Sequence, residues 1–247
     1  MLAQLALPIA QGGGPVIPTF NRGSDCVREN RQFCWDWFSS HWSSTFQPRL
    51  IEHIELTAIA VGIGFVIAFV AALAAYRWDW AVNPATAVFA LLYTIPSLAF
   101  FQLMVPFTGL TRLSAEIALV SYTLLILFRN MLTGLREVPP DALEAAQAMG
   151  LTRRQTLWRV ELPLALPAIM AGIRIATVTT ISLATVAAFI GVGGLGEPIF
   201  NAIQSGFKTQ FVAAGILAVL LALVVDGLLV LVQRGLAPWL RATRTRA

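Results

Sequence analysis

Residues 139–163 read Pro139-Pro140-Asp141-Ala142-Leu143-Glu144-Ala145-Ala146-Gln147-Ala148-Met149-Gly150-Leu151-Thr152-Arg153-Arg154-Gln155-Thr156-Leu157-Trp158-Arg159-Val160-Glu161-Leu162-Pro163. The pattern predicts two short helices. Asp141 is placed to cap the first, with Glu144 three residues on as its capping-box partner, and two prolines stop anything upstream. Gly150 ends that helix by taking a positive φ. Thr152 and Gln155 form a second capping box, and Pro163 begins the return to apolar sequence. A compact helix pair with an alanine-rich surface allows close approach by another protein.

What flanks this run is mostly apolar. Of 247 residues, 57% are hydrophobic and 12% charged, with a mean hydropathy of +0.73. Soluble domains carry nearer 25% charge. A helical span needs roughly 20 apolar residues to cross about 30 Å of hydrocarbon. Five stretches approach that: 56–76, 84–107 with Pro96 inside, 113–135 with Glu116 and Arg129 near its ends or inside the bundle, 164–190 with Arg174, and 211–232 with Asp226. Each is helical, because an open sheet edge is not tolerated in lipid. The expected fold class is therefore an all-α membrane protein of about five transmembrane helices plus a cytoplasmic helix pair.

Arginine placement gives the orientation. Arg136, Arg153, Arg154 and Arg159 lie in the long link, Arg234, Arg241, Arg244 and Arg246 in the tail, and Arg77 after the first span. Threading five spans puts all three groups on one side, the cytoplasmic one, so the N-terminus is outside. Arg22, Arg28, Arg31 and Arg49 before the first span weigh against this without reversing it. The net charge of +4 is bunched as sidedness requires, and long apolar spans argue against nucleic-acid binding.

Residues 1–49 form an extracytoplasmic extension. Its first 23 residues are rich in Gly and Pro and read as irregular. The run 2–10 mimics a signal h-region but lacks a basic start and an Ala-x-Ala site. Trp35, Phe38, Trp42 and Phe46 share one helical face, as in an amphipathic helix lying in the outer interface, with Trp37 off the stripe. Residues 50–235 make the membrane domain, with the link at 136–163, and 236–247 a basic cytoplasmic tail.

Glu144-Ala145-Ala146, Gly150 and Val160-x-Leu162-Pro163 resemble the EAA signature of binding-protein-dependent ABC importer permeases. The resemblance covers roughly residues 50–235. Three stretches, Thr94-Ile95-Pro96-Ser97-Leu98-Ala99, 162–174 and 188–200, look most like the osmoprotectant branch, which takes up glycine betaine, carnitine and choline. The resemblance implies a type I importer fold in the bacterial cytoplasmic membrane. It implies that Glu144, Ala145, Ala146, Gly150, Leu162 and Pro163 form the segment that couples to a cytoplasmic ATPase. It further implies an extracytoplasmic substrate-binding protein, a second permease subunit (identical or paralogous), and ATP with Mg²⁺ held by the ATPase. No residue of this chain would hydrolyse ATP. Glu144 is open to both readings, ATPase contact and self-capping.

Other signals are weaker. Gly191, Gly193 and Gly196 spell G-x-G-x-x-G, but a nucleotide loop needs a preceding strand. A sharp outer turn into a short helix over 197–205 fits better. His41, His53, Cys26 and Cys34 match no common zinc spacing, and no metal or catalytic constellation is expected. Tyr93, Pro96, Ser97, Phe100, Tyr122, Gly193 and Gly194 are pore or gate candidates, although aromatic residues in spans, Phe101 included, more often pack. Cys26 and Cys34, placed outside, are read as a disulfide or as two unpaired thiols. Arg174 and Asp226 lie roughly 15 and 12 Å deep at 1.5 Å per residue. Nearly matching depth suggests an ion pair, with snorkelling or backbone contacts the alternative for Arg174. A permease for another small solute, such as methionine, is the nearest alternative function. A secondary carrier, a channel or a membrane enzyme fits the EAA match less well.

Overall fold

The computed structural model describes residues 24–237. The Gly/Pro-rich start, the run 2–10 and Arg241, Arg244 and Arg246 of the tail lie outside them. Among the described residues every regular element is helical: α1 (Asp25–Arg28), α2 (Trp35–Arg77), α3 (Val82–Thr94), α4 (Ser97–Thr108), α5 (Arg112–Arg136), α6 (Pro140–Ala148), α7 (Arg153–Ala184), α8 (Gly196–Ser205) and α9 (Lys208–Leu236), with 3₁₀ turns at Asp79–Ala81 and Val186–Ile190. Four of these are long and apolar enough to cross a membrane, and α3 with α4 forms a fifth, bent unit.

The centre of the bundle is α5. Its inward face carries Ala115, Ala118, Leu119, Leu127, Phe128, Met131 and Leu135, all buried. On one side α2 presents Ala60, Gly64, Ala68 and Ala72, four apart and all buried. A Cβ at Gly64 would sit 1.8 Å from Thr123 Oγ1 of α5. On the other side α7 approaches through Gly172, whose added Cβ would fall 2.7 Å from Asn130 Cβ, and α5 offers Gly134 to Ala168 at the same 2.7 Å. Small residues let helix backbones close up in lipid, where dispersion contacts replace the hydrophobic effect as the binding force. Larger residues face outward: Val66, Val70, Leu223 and Leu231 are exposed.

Proline explains three departures from the sequence reading. Pro96 does not lie inside a straight span. Ile95 is extended (ψ 127°), as a residue before proline tends to be, and the chain bends 97° between α3 and α4. The expected interfacial helix at 35–46 is not separate from the first span. It runs into α2 through a π segment, Trp42–Phe46, which widens the turn where the Pro48 ring would crowd the carbonyl four residues back. Likewise Arg153–Thr156 is not an independent short helix. A π segment at Leu157–Glu161 carries it past Pro163 into the fourth span, making one helix.

Gly64→Val should cost about 1–3 kcal/mol by overpacking and lower the unfolding midpoint in detergent. Gly62→Val, with nothing within 4 Å of its Cβ, should not. Equal midpoints for the two variants would contradict the α2–α5 contact.

Candidate functional site

The polar segment builds a surface at one end of the bundle. α6 starts at Pro140, whose fixed φ suits the first helical position, so Pro139 is its N-cap and no side chain caps it. Asp141 therefore lies inside the helix, and Glu144 is too far along to close a capping box. That expectation is corrected. Glu144 and Ala145 are exposed, and Ala146 is buried. The Glu144 carboxylate makes no hydrogen bond or ion pair among the described residues, which leaves it available to a partner. Gly150, at φ +75°, ends α6. Leu151 N–H donates to the Ala146 carbonyl at 3.1 Å and Gly150 N–H to that of Gln147 at 2.9 Å, the double closure a left-handed residue permits. The second capping box is present: Thr152 N–H donates to Gln155 Oε1 at 2.8 Å, and Gln155 N–H to Thr152 Oγ1 at 3.4 Å. Leu162 is half-buried against the bundle core, and Pro163 follows it in the same helix. The result is a short helix closed at Gly150 and buried on one side at Ala146, with a carboxylate, small residues and the exposed Met149 outermost.

At the opposite end the Gly-rich turn closes on α2. Arg49 Nη1 lies 2.9 Å from Glu52 and its Nη2 2.7 Å from Glu197 of α8. Glu52 also accepts the Gly194 N–H at 2.9 Å. His53, fully buried, accepts the Leu195 N–H on Nδ1 (3.2 Å) and bonds the Ile181 carbonyl through Nε2 (2.9 Å). A carbonyl can only accept and an N–H can only donate, so Nε2 carries the proton. Gly193 and Gly194 leave no room for a side chain: a Cβ on Gly193 would fall 2.1 Å from Glu52 Oε2, and one on Gly194 2.9 Å from His53 Nδ1. Both gate candidates are thus buried in this seam. Arg49, Glu52, His53 and Glu197 were not singled out as a group in the sequence. Only the Arg49–Glu52 spacing of three hints at it; Glu197 is 148 residues away.

Tyr93, Pro96, Ser97, Phe100 and Tyr122 come together at the α3–α4 bend. The Tyr122 hydroxyl donates to the Ile95 carbonyl freed by the break. Phe100 and Tyr122 are buried, with ring centroids 5.7 Å apart. Tyr93 packs its ring 6.0 Å from that of Tyr122 and remains 41% exposed, which makes it the outward face of the cluster.

Cys26 and Cys34 are joined in a disulfide with Cα atoms 5.8 Å apart. Within the loop they close, Asn30 donates from Nδ2 to the Gly206 carbonyl (2.8 Å) and accepts the Lys208 N–H on Oδ1 (3.0 Å). Trp37, off the predicted stripe, packs edge-on to Phe207 at 4.7 Å, while Phe46 is buried against Ala213 and Ala214 of α9. These aromatic residues are packing groups between the extension and α8–α9. Partway along the bundle, and half-exposed on its surface, Arg174 makes a two-pronged pair with Asp226, at 2.8 and 2.9 Å, joining α7 to α9. Among the described residues no cluster of His, Cys, Asp and Glu could hold a metal.

The family described as the binding-protein-dependent transport system inner membrane component matches residues 60–238. The osmoprotectant import permease protein OsmW of Salmonella typhimurium is 39% identical over 76% of this chain and 89% of its own. The choline transport system permease protein OpuBB of Bacillus subtilis is 36% identical, covering 76% and 86%. The glycine betaine/carnitine/choline transport system permease protein OpuCB of the same organism is 34% identical over the same shares, 76% and 86%. In fold, the chain superposes on the inward-facing MetNI methionine ABC transporter with a TM-score of 0.70 at 22% identity, covering 80% of this chain and 98% of the other.

Removing one member of the Arg174–Asp226 pair leaves a lone charge at membrane depth. Arg174→Leu and Asp226→Leu should therefore each lower stability and uptake more than the double change; losses that simply add would exclude the pair. For Cys26 and Cys34, thiol labelling of unreduced, unfolded protein should find no reactive thiol before reduction and two after. Two thiols before reduction would exclude the bridge.

Proposed function

The chain belongs to the family of binding-protein-dependent transport system inner membrane components, and from that membership we propose that it carries a small quaternary-ammonium solute across the membrane. It is the permease subunit of an ATP-driven importer, not an enzyme. The solute class is supported by relatives at 34–39% identity whose names specify osmoprotectants, choline, glycine betaine and carnitine. The methionine transporter shares the fold at 22% identity, which bears on architecture alone.

The observation that carries the mechanism is the exposed carboxylate of Glu144, without a partner among the described residues, on a helix locked by Gly150. The rigid α6 docks in a cleft of the cytoplasmic ATPase, which binds ATP and Mg²⁺. Since α6 is followed by a single helix, α7, movement of the ATPase is transmitted into the bundle without a joint at Pro163. The ion pair of α7 with α9 makes those two helices move together. At the other end, the seam of Glu52 and His53 with residues 193–195 closes on the side where the external binding protein delivers solute. The exposed part of Tyr93 at the bend, backed by Phe100 and Tyr122, lines the path, where an aromatic ring face attracts a quaternary ammonium. A second permease subunit completes the path, and the N-terminus lies outside with the C-terminus in the cytoplasm.

The deciding experiment is uptake by the permease reconstituted with its ATPase and binding protein. Choline or glycine betaine should be accumulated, with methionine in excess failing to compete. Competition by methionine with no choline uptake would overturn the solute class. Glu144→Arg and Gly150→Val should leave insertion intact while abolishing solute-stimulated ATPase activity; unchanged stimulation in both would sink the docking role. For orientation, Thr152→Cys in a Cys26→Ser/Cys34→Ser background should react with an impermeant maleimide only in inside-out vesicles.

A further inference from the structure

A cavity of about 630 Å³ opens between the C-terminal end of α2 and the first turns of α7, and Arg77, Arg153 and Arg154 line it. Nearby, Arg136 has a carboxylate partner, Asp79, at 2.8 Å. None of the three cavity arginines has one within 4.0 Å among the described residues. Among the described residues the one acid in the wall, Glu161, is buried and hydrogen-bonded to the Tyr76 hydroxyl, so the lining keeps a net charge of +2 from these four groups. The apolar part of the wall is Leu73 and Leu157. Exposed indoles neighbour the lining residues in sequence: Trp78 (50%) and Trp80 (76%) follow Arg77, and Trp158 (54%) follows Leu157. Exposed tryptophan is characteristic of the headgroup level of a bilayer.

We propose that this cavity binds the headgroup of an anionic phospholipid of the inner leaflet. The three guanidinium groups take the phosphodiester, for which their planar forks supply paired donors, and the net positive lining disfavours a headgroup that adds a cation of its own. The first acyl carbons lie over Leu73 and Leu157, and the indoles seat the glycerol level. Basic pockets between transmembrane helices on the cytoplasmic side are suited to this chemistry. An acidic segment of the ATPase would also satisfy three arginines, but it would have no use for the indoles or the apolar wall. The proposal rests on the cytoplasmic placement of α6. The Thr152→Cys labelling tests that placement independently, since a reversed orientation leaves lipid retention itself unaffected.

The test is retention of phosphatidylglycerol by the purified permease–ATPase complex, moved from mixed phosphatidylglycerol/phosphatidylcholine nanodiscs into neutral detergent and counted by native mass spectrometry. Wild type should retain phosphatidylglycerol in preference to phosphatidylcholine, roughly a hundredfold. Each Arg→Gln change should lower the preference about fivefold, and R77Q/R153Q/R154Q should abolish it with the ATPase still bound. R77K/R153K/R154K should keep part of it, and Arg159→Gln, outside the lining, all of it. Equal retention of both lipids by wild type, or undiminished preference in the triple Gln variant, would overturn the proposal. Displacement by excess inorganic phosphate would show a free-anion site instead. Phosphatidylglycerol held by the permease alone but expelled by the ATPase would make the cavity a subunit contact, and would equally overturn it.

Discussion

The contact of α2 with α5 at Gly64 sets the spacing on which the other helices depend. Lipid chains are as apolar as leucine, so burial of large side chains gives little advantage inside a membrane, and close backbone approach must hold the helices together. The chain meets that constraint on both flanks of α5, with Ala60, Gly64, Ala68 and Ala72 of α2 on one side and Gly134 and Gly172 at the α7 contact on the other. With the small residues used inside, the bulky ones are left to face outward. In α9 this goes furthest: none of its most apolar stretch is buried. That helix is held instead by specific ties, the Arg174–Asp226 pair along its length and the packing of Phe46 on Ala213 and Ala214 near its start.

Prolines then decide where helices continue and where they break. Pro48 and Pro163 are each preceded by a π segment, and the helix passes through. Pro96 has none. Its neighbour Ile95 turns extended, and a buried tyrosine satisfies the carbonyl this exposes. A carbonyl freed at membrane depth requires such a partner, since water is not available to take its place. The two outcomes serve different ends. Continuity through Pro163 joins α6 to the bundle through one stiff rod, whereas the 97° bend gathers Tyr93, Phe100 and Tyr122 at one place.

Much of this was legible in the chain, and the misses share a cause. The apolar runs, the Gly150 stop, the Thr152–Gln155 box and the nearly matching depths of Arg174 and Asp226 are properties of local sequence or simple counting. The helix start at Pro140 was missed because Asp141 is a good cap in isolation and Pro140 a better first residue. The bend at Pro96 and the run through Pro163 look alike in one dimension; what distinguishes them is the π segment at 157–161 and the hydroxyl of Tyr122, neither of which periodicity reveals. The seam of Arg49, Glu52 and His53 with residues 193–197 was invisible for a plainer reason. Its halves are more than a hundred residues apart, and a single sequence carries no sign that they meet.

The tether from Asn30 to Gly206 and Lys208 also orders events during biosynthesis. Its two halves are 176 residues apart, among the first and last segments of the described chain to leave the ribosome. At typical elongation rates of 5–20 residues per second, roughly ten to thirty-five seconds separate their synthesis. Through that interval the N-terminal loop has no surface to dock on, while α2, α5 and α7 are made one after another and can pack before α8 and α9 appear. Docking of the loop is therefore a terminal event of assembly, a clasp closed only when α8 and α9 have emerged. A chain truncated before α8 would leave that loop unclasped, with the Asn30 side chain lacking both of its backbone partners.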